Sequence, residues 1–563
     1  MSCLSIAAAV ILATPPLAPS APQEAQDSGG PLDAERACYD VLRYDLSIQV
    51  DPQQERILGS NRITARLLST TDRIRVDLDR RLAVHDVSMN DIGHVDAVGY
   101  VDVNDVVTGG ERTEDFFFVP IAGVSPGDVF TIDINYGGSP REAVRAPWDG
   151  GFVWAQTPSG APWIATACQG EGADLWWPCK DHPSDEPDSM GIDVEVPDPL
   201  VVATNGRLLG TWPAARPGHT IHRWEVSTPI NNYGVALNIA PYVRLEHLYT
   251  SVTGERFPFY FWVLPEDEAK GRAILPEFAG HMRQLEELCG PYPFRADKYG
   301  VVQTPHLGME HQSIIAYGNR FAGDPNFEYD WLHHHELSHE WWGNMVTARD
   351  WNDFWIHEGI GTYVQALYLE QRFGPEAYRQ KMAADRRRIA NTGPVAPRGS
   401  KSTGWMYLGR PGNGSPGGDI YFKGSWVCHE LRWLLGDDEF FHVLRRWAYP
   451  DPALELVTDG AQCRFTTTDE LLEIANRETG RDLAWYFEVA LRRAALPTLE
   501  TQRDGTSLTL RWSTPDDLPY PMPVELDLDG HRRTVPIPPE GTTIDVGQAK
   551  LTIDPDDWLL GAE

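Results

Sequence analysis

With 563 residues, 42% of them hydrophobic and 23% charged, the chain is too long for one compact core and too apolar to be mainly disordered or collagen-like, so two to four domains are expected. Its 48 Lys and Arg stand against 81 Asp and Glu, and the resulting net charge of −33 repels phosphate backbones and anionic lipid headgroups. That argues against nucleic-acid or membrane-surface partners and for a solvated, soluble exterior.

In chain order, Leu4 to Ala13 form a short apolar run, followed by Thr14-Pro15-Pro16 and a small-residue stretch to Gly30. This reads as an export leader over residues 1–30, placing the mature chain in the periplasm, cell envelope or extracellular space, although no Lys or Arg precedes Arg36. Nowhere else do enough apolar residues run together to span a membrane. Six cysteines follow the leader, with Cys168 and Cys179 the nearest pair, and the count permits disulfides without requiring them.

From about Cys38 to Leu248 the hydrophobic pattern has period two, as in Tyr44, Leu46, Ile48, Val50, then Ile74, Val76, Leu78, then Phe130, Ile132, Ile134, Tyr136. Alternation broken by Gly, Pro, Asn and Asp predicts antiparallel strands, and hence an N-terminal β-domain over residues 31–248. After Pro265 the spacing turns helical, with Phe278, Met282, Leu285 and Leu288 stepping by three and four, and a later helix stops at Gly374-Pro375. Pro394 to Gly418 reads as a long loop bordering a site; it lacks the GK[ST] ending of a phosphate loop. Helix resumes from Tyr421 to about Ala495, giving a mainly α catalytic domain over 249–496. Alternation then returns, with Asp529-Gly530 as a hairpin turn, in a small C-terminal β-domain over 497–563. The fold class is therefore multidomain α+β. No internal repeat is present.

The chemistry concentrates in His335-Glu336-Leu337-Ser338-His339, an H-E-x-x-H pattern in a helix expected to continue through Trp341 and Trp342. Positions i and i+4 share one helix face, so both imidazoles can reach one tetrahedral Zn²⁺, while Glu336 stands aside to accept a proton from water. Glu358, in Trp355-Ile356-His357-Glu358-Gly359, supplies a third ligand from the next helix. Two His and one carboxylate leave a fourth position open, the arrangement of a catalytic rather than a structural zinc. His333 and His334 do not fit the spacing and are not expected to be ligands; His357 is expected on another helix face, near the site or at the surface.

The segments HELSHEWWGN (335–344), WNDFWIHEGIGTY (351–363) and Gly308-Met309-Glu310 resemble the zinc aminopeptidases of the aminopeptidase N and leukotriene-hydrolase type, the gluzincins. The resemblance implies an N-terminal β saddle, a thermolysin-like catalytic domain and a small β-sandwich-like domain, without the large helical C-terminal domain of longer members. It also implies one Zn²⁺ per chain, with Glu310 holding the substrate's α-amine and the Gly308–Met309 backbone lining the substrate. Gln169 is implied as a second amine contact, and Tyr421, in Tyr421-Phe422-Lys423-Gly424, as the hydroxyl that stabilises the tetrahedral intermediate. His311 stands where the family has Asn.

The expected function is removal of N-terminal residues from peptides bearing a free N-terminus. The alternatives are a zinc endopeptidase, a lipid-epoxide hydrolase and a non-catalytic zinc-binding envelope protein. The sequence sets no oligomeric state and no preferred N-terminal residue.

Overall fold

The computed structural model describes residues 27–91, 98–100, 114–121, 123–407 and 413–561. Residues 1–26 of the expected leader and 408–412 of the expected loop lie outside these. A one-turn helix, α1 (Ala34–Ala37), capped by the Asp33 carboxylate, leads into an eight-stranded sheet. Its central strand Tyr39–Asp51 pairs antiparallel with Arg56–Leu67 and parallel with Ser189–Pro197, the one parallel pairing in this sheet among the described residues. Tyr44, Leu46, Ile48 and Val50 are buried on one face, as are Phe130, Ile132, Ile134 and Tyr136 of the strand Val129–Gly138, so the period-two pattern marks the inward face.

A four-stranded sheet follows, in which Gly151–Gln156 pairs with Pro162–Ala167, and the chain leaving Pro162–Ala167 arrives two residues later at Gln169. The strand Val243–Thr250 crosses the position expected to divide the first two domains. It pairs with Arg256–Val263 and so belongs to a five-stranded sheet with Tyr299–Gln303, Ile315–Tyr317 and the edge pair Gly308–Met309. Alternation alone does not say which sheet a strand joins.

The helices are α2 (Glu268–Cys289), α3 (Trp331–Ser338), α4 (Trp355–Phe373), α5 (Pro375–Arg386), α6 (Thr403–Tyr407), α7 (Asp419–Leu435), α8 (Asp437–Ala448), α9 (Thr468–Thr479) and α10 (Ala484–Ala490). Two expectations are corrected. α3 stops at Ser338 instead of running through Trp342, because the chain tightens into bonds such as His339 N–H to the Glu336 carbonyl and Trp341 N–H to the Ser338 carbonyl. The region 394–418 is not loop throughout, since α6 forms inside it.

Helices α4 and α7 approach closely because glycines face each other: a Cβ on Gly359 would stand 2.8 Å from the Gly424 Cα. The C-terminal strands form two three-stranded sheets, and their inward residues, among them Leu508, Leu510, Leu526 and Val535, share one core with the helices. Asp529 and Gly530, at φ 54° and 87°, make the expected two-residue hairpin turn between Val524–Leu528 and His531–Val535. The six described cysteines are free thiols.

Candidate active site

Asp330 caps α3 by accepting from the His333 N–H, and the helix then delivers His335 and, at its C-cap, His339 to one face. Their Nε2 atoms are 3.3 Å apart, and Glu358 Oε2, from the first turn of α4, lies 3.4 Å from one and 3.5 Å from the other. A tetrahedral ion with bonds of about 2.0–2.1 Å spaces its ligand atoms by roughly 3.3–3.4 Å, so this triangle has the edge lengths of a zinc site. Glu358 Oε2 is buried with no hydrogen-bond partner. His339 Nδ1 meets the Trp342 carbonyl at 2.9 Å, which sets the proton on Nδ1 and leaves the Nε2 lone pair facing His335 and Glu358. Burial lowers the His335 pKa to about 4. The donor set fits a zinc ion held by His335, His339 and Glu358.

Glu336 turns to the other side. Its carboxylate packs over Gly308, and burial, together with the nearby Glu310 and Glu358 carboxylates, holds its pKa well above the usual range. Glu310, Glu336 and His339 each place one ligand-type atom within 4.8 Å of the others. The edge strand Gly308–Met309 thus ends beside Glu336, and burial raises the Glu310 carboxyl to about 7. Gln169 Nε2 donates to Glu310 Oε1, Tyr233 donates its hydroxyl to the same oxygen at 3.2 Å, and Asn344 Nδ2 donates to the Glu310 carbonyl at 2.9 Å. Met309 is buried on that strand, paired with Ala316.

Tyr421, in the first turn of α7, faces Glu358 and has its ring 6.1 Å from that of His335; burial holds its pKa well above that of an ordinary phenol. The structure therefore brings all nine residues singled out in the sequence into one cluster. His333 and His334 are core residues: His333 stacks on Phe278 at 3.6 Å and meets Tyr299 and His281, and His334 meets Gln284. His357 is buried and accepts the Ala348 N–H at 2.9 Å, away from the surface. His311 is fully buried and lies outside the hydrogen-bond set around Glu310. Asp181 and Asp185 are buried, the first accepting the Ala173 N–H and the second pairing with Lys180.

Sequence reasoning missed Tyr233 and Asn344. Asn344 lies within the HELSHEWWGN segment, and that position is its one signal; Tyr233 sits in a segment with no metal or catalytic spacing.

Residues 291–450 match the model of the peptidase family M1 domain, and residues 41–233 that of the peptidase M1 N-terminal domain. Leucine aminopeptidase 2 of Emericella nidulans is 26% identical over 228 residues, 39% of this chain and 34% of that protein. Aminopeptidase N of Streptomyces lividans is 24% identical over 353 residues, 57% of this chain and 38% of that protein. The matched region thus spans little more than a third of each of these relatives. Among solved structures, an M1 zinc metallopeptidase from Deinococcus radiodurans superimposes with a TM-score of 0.63 at 22% identity, over 82% of this chain and 94% of that one, which shows the fold.

Proposed function

The chain belongs to peptidase family M1, and we propose that it is a zinc-dependent aminopeptidase that hydrolyses the N-terminal bond of peptides with a free α-amine. The observation that carries the proposal is the convergence of Glu310, Glu336 and His339 within 4.8 Å. An anchor for the substrate's ammonium so close to the general base leaves room for one residue between amine and scissile bond. An endopeptidase has no use for such an anchor.

Zinc, held by His335, His339 and Glu358, supplies Lewis acidity when bound, acidifying water and polarising a carbonyl. Glu310, with Gln169 and Tyr233 fixing its carboxylate, pairs with the ammonium, a charge-assisted bond strengthened by burial. The backbone of Gly308 and Met309 lines the first substrate residue. Glu336 takes a proton from the attacking water and returns it to the leaving amine. Tyr421 donates its hydroxyl to the carbonyl oxygen as negative charge develops there.

One zinc per chain is the stoichiometry these roles call for, since they use one His–His–Glu triangle. Residues 1–30 are read as an export leader, and no helix among the described residues is long and apolar enough to cross a membrane. The test is a panel of aminoacyl-fluorophore substrates assayed with and without chelator. Turnover that is lost with the metal and restored by zinc supports the proposal, and metal-independent turnover contradicts it.

A further inference from the structure

Asp27 to Gly30 close the stretch that composition assigns to a leader, yet they are folded into the protein, with Ser28 and Gly30 buried. Gly29 pairs with Ser402 in an isolated antiparallel bridge, and the Gly30 N–H donates to the Lys401 carbonyl at 3.2 Å. The Asp27 carboxylate accepts from the Ser402 hydroxyl and from the Gly404 N–H at 2.6 Å, which caps the first turn of α6. The Thr403 N–H donates to the Ser28 carbonyl at 3.0 Å. Two segments 375 residues apart are thus laced into one unit.

This unit backs both side chains that fix Glu310. The carbonyl of Gly170, the residue after Gln169, accepts from the Thr403 hydroxyl and from the Ser28 N–H at 3.4 Å, which fills both its lone pairs. A Cβ on Gly170 would meet no atom within 4 Å, so these carbonyl bonds, and not packing, tether it. Gly29 lies against Trp351: its φ is 83°, and a Cβ there would stand 2.2 Å from Trp351 Cδ1. The Trp351 ring stands 5.5 Å from that of Tyr233. Gln169 and Tyr233 both donate to Glu310 Oε1.

We propose that Asp27–Gly30 is a strap that positions the amine anchor, with Asp27 as its positioning residue. By pinning α6 it holds the Gly170 carbonyl, and with it Gln169, and it seats Gly29 on Trp351 behind Tyr233. Both routes end at Glu310 and keep its carboxylate aimed at the substrate's ammonium. The inference rests on the reading of Glu310 as that anchor. A charge-assisted bond works only in its proper geometry, and a misplaced anchor shifts the scissile bond away from the reacting groups. Loosening the strap therefore costs a substrate that carries an ammonium and spares one that does not.

The test is kcat/KM for one short peptide with a free and with an acetylated N-terminus, on full-length variants assayed below their melting temperatures and analysed for zinc. Asp27→Ala should keep its zinc and lower kcat/KM for the free form about tenfold, the size of one or two net hydrogen bonds, with less than about a twofold change for the acetylated form. Asp27→Asn retains an acceptor for the Gly404 N–H and should stay within about threefold of the parent on both forms. Thr403→Val removes the hydroxyl that reaches Gly170 and should narrow the ratio in the same direction as Asp27→Ala. In a Glu310→Ala background, Asp27→Ala should change neither rate by more than about twofold, because the group it acts through is gone. An equal fall for both peptides, an unaltered ratio in Asp27→Ala and Thr403→Val, or a further tenfold fall in the Glu310→Ala background overturns the proposal. A parent that cleaves both peptides equally instead overturns the reading of Glu310 beneath it, a separate and distinguishable result.

Discussion

The Glu336 carboxylate rests on the backbone of Gly308: a Cβ at that glycine would stand 2.5 Å from Glu336 Oε1 and 2.6 Å from Leu332 Cδ1. Two separate motifs are thus fitted to each other, the small residue of one leaving room for the Glu336 carboxylate of the other. Gly308→Ala should push Glu336 aside and lower kcat at least tenfold at full zinc content, with an overpacking cost of about 1–3 kcal/mol visible in thermal melts. Parent kcat in a folded Gly308→Ala protein would show that Glu336 has no need of its present position.

Glu336→Gln removes the proposed base and leaves all three proposed ligands. Zinc content should equal the parent's while kcat falls by about 10²–10⁴, the usual contribution of a general base. Metal analysis beside steady-state rates checks both halves.

His335→Ala, His339→Ala and Glu358→Ala should each lose zinc, since each removes a corner of the 3.3, 3.4 and 3.5 Å triangle. His357→Ala, next to Glu358 in sequence, should keep its zinc and lose stability, because its Nε2 accepts the Ala348 N–H and holds no metal position. Dialysis against a competing chelator, followed by metal analysis of the four variants, separates the two groups. Full zinc retention by any of the first three would remove that residue from the ligand set.

Glu430 ties the C-terminal tail to the helix that carries Tyr421, accepting the Leu560 N–H at 2.6 Å and the Tyr486 hydroxyl at 3.2 Å. Burial raises its pKa from 4.5 to about 8, so the folded protein takes up a proton that the unfolded chain has released above 4.5. Its contribution to stability is therefore full below pH 4.5, declines as pH rises and is gone above about 8. Glu430→Gln mimics the protonated form and should raise the melting temperature relative to the parent at pH 8 but not at pH 4.5. A constant difference across that range would contradict the assignment.

The architecture was legible where a period or a spacing states a geometry. Tyr44 to Val50 announce a one-sided strand, and His335 with His339 announce one face of a helix. Asp529-Gly530 announces a tight hairpin turn because both positions need positive φ. What stayed hidden depends on long-range packing. Beyond Ser338 α3 gives way to tighter turns that carry Trp341 and Trp342 into the core, a stop that no residue pattern announces. α6 forms in a Gly- and Pro-rich region because Asp27, more than 370 residues earlier in the chain, caps it. Tyr233 reaches Glu310 from a short 3₁₀ turn in the N-terminal half, a contact no motif encodes.

The central claim, an aminopeptidase that counts from the substrate's amine, turns on Glu310. The most direct measurement is kcat/KM for one short peptide in two forms, with a free and with an acetylated N-terminus, for the parent and for Glu310→Ala. The parent should strongly prefer the free form. Glu310→Ala should narrow the gap mainly by losing the free substrate, at a cost of about 2–5 kcal/mol, the range for removing one member of a desolvated charge pair. Equal cleavage of both forms by the parent, or an unchanged preference in Glu310→Ala, would show that Glu310 does not hold the amine and that the exopeptidase account is wrong.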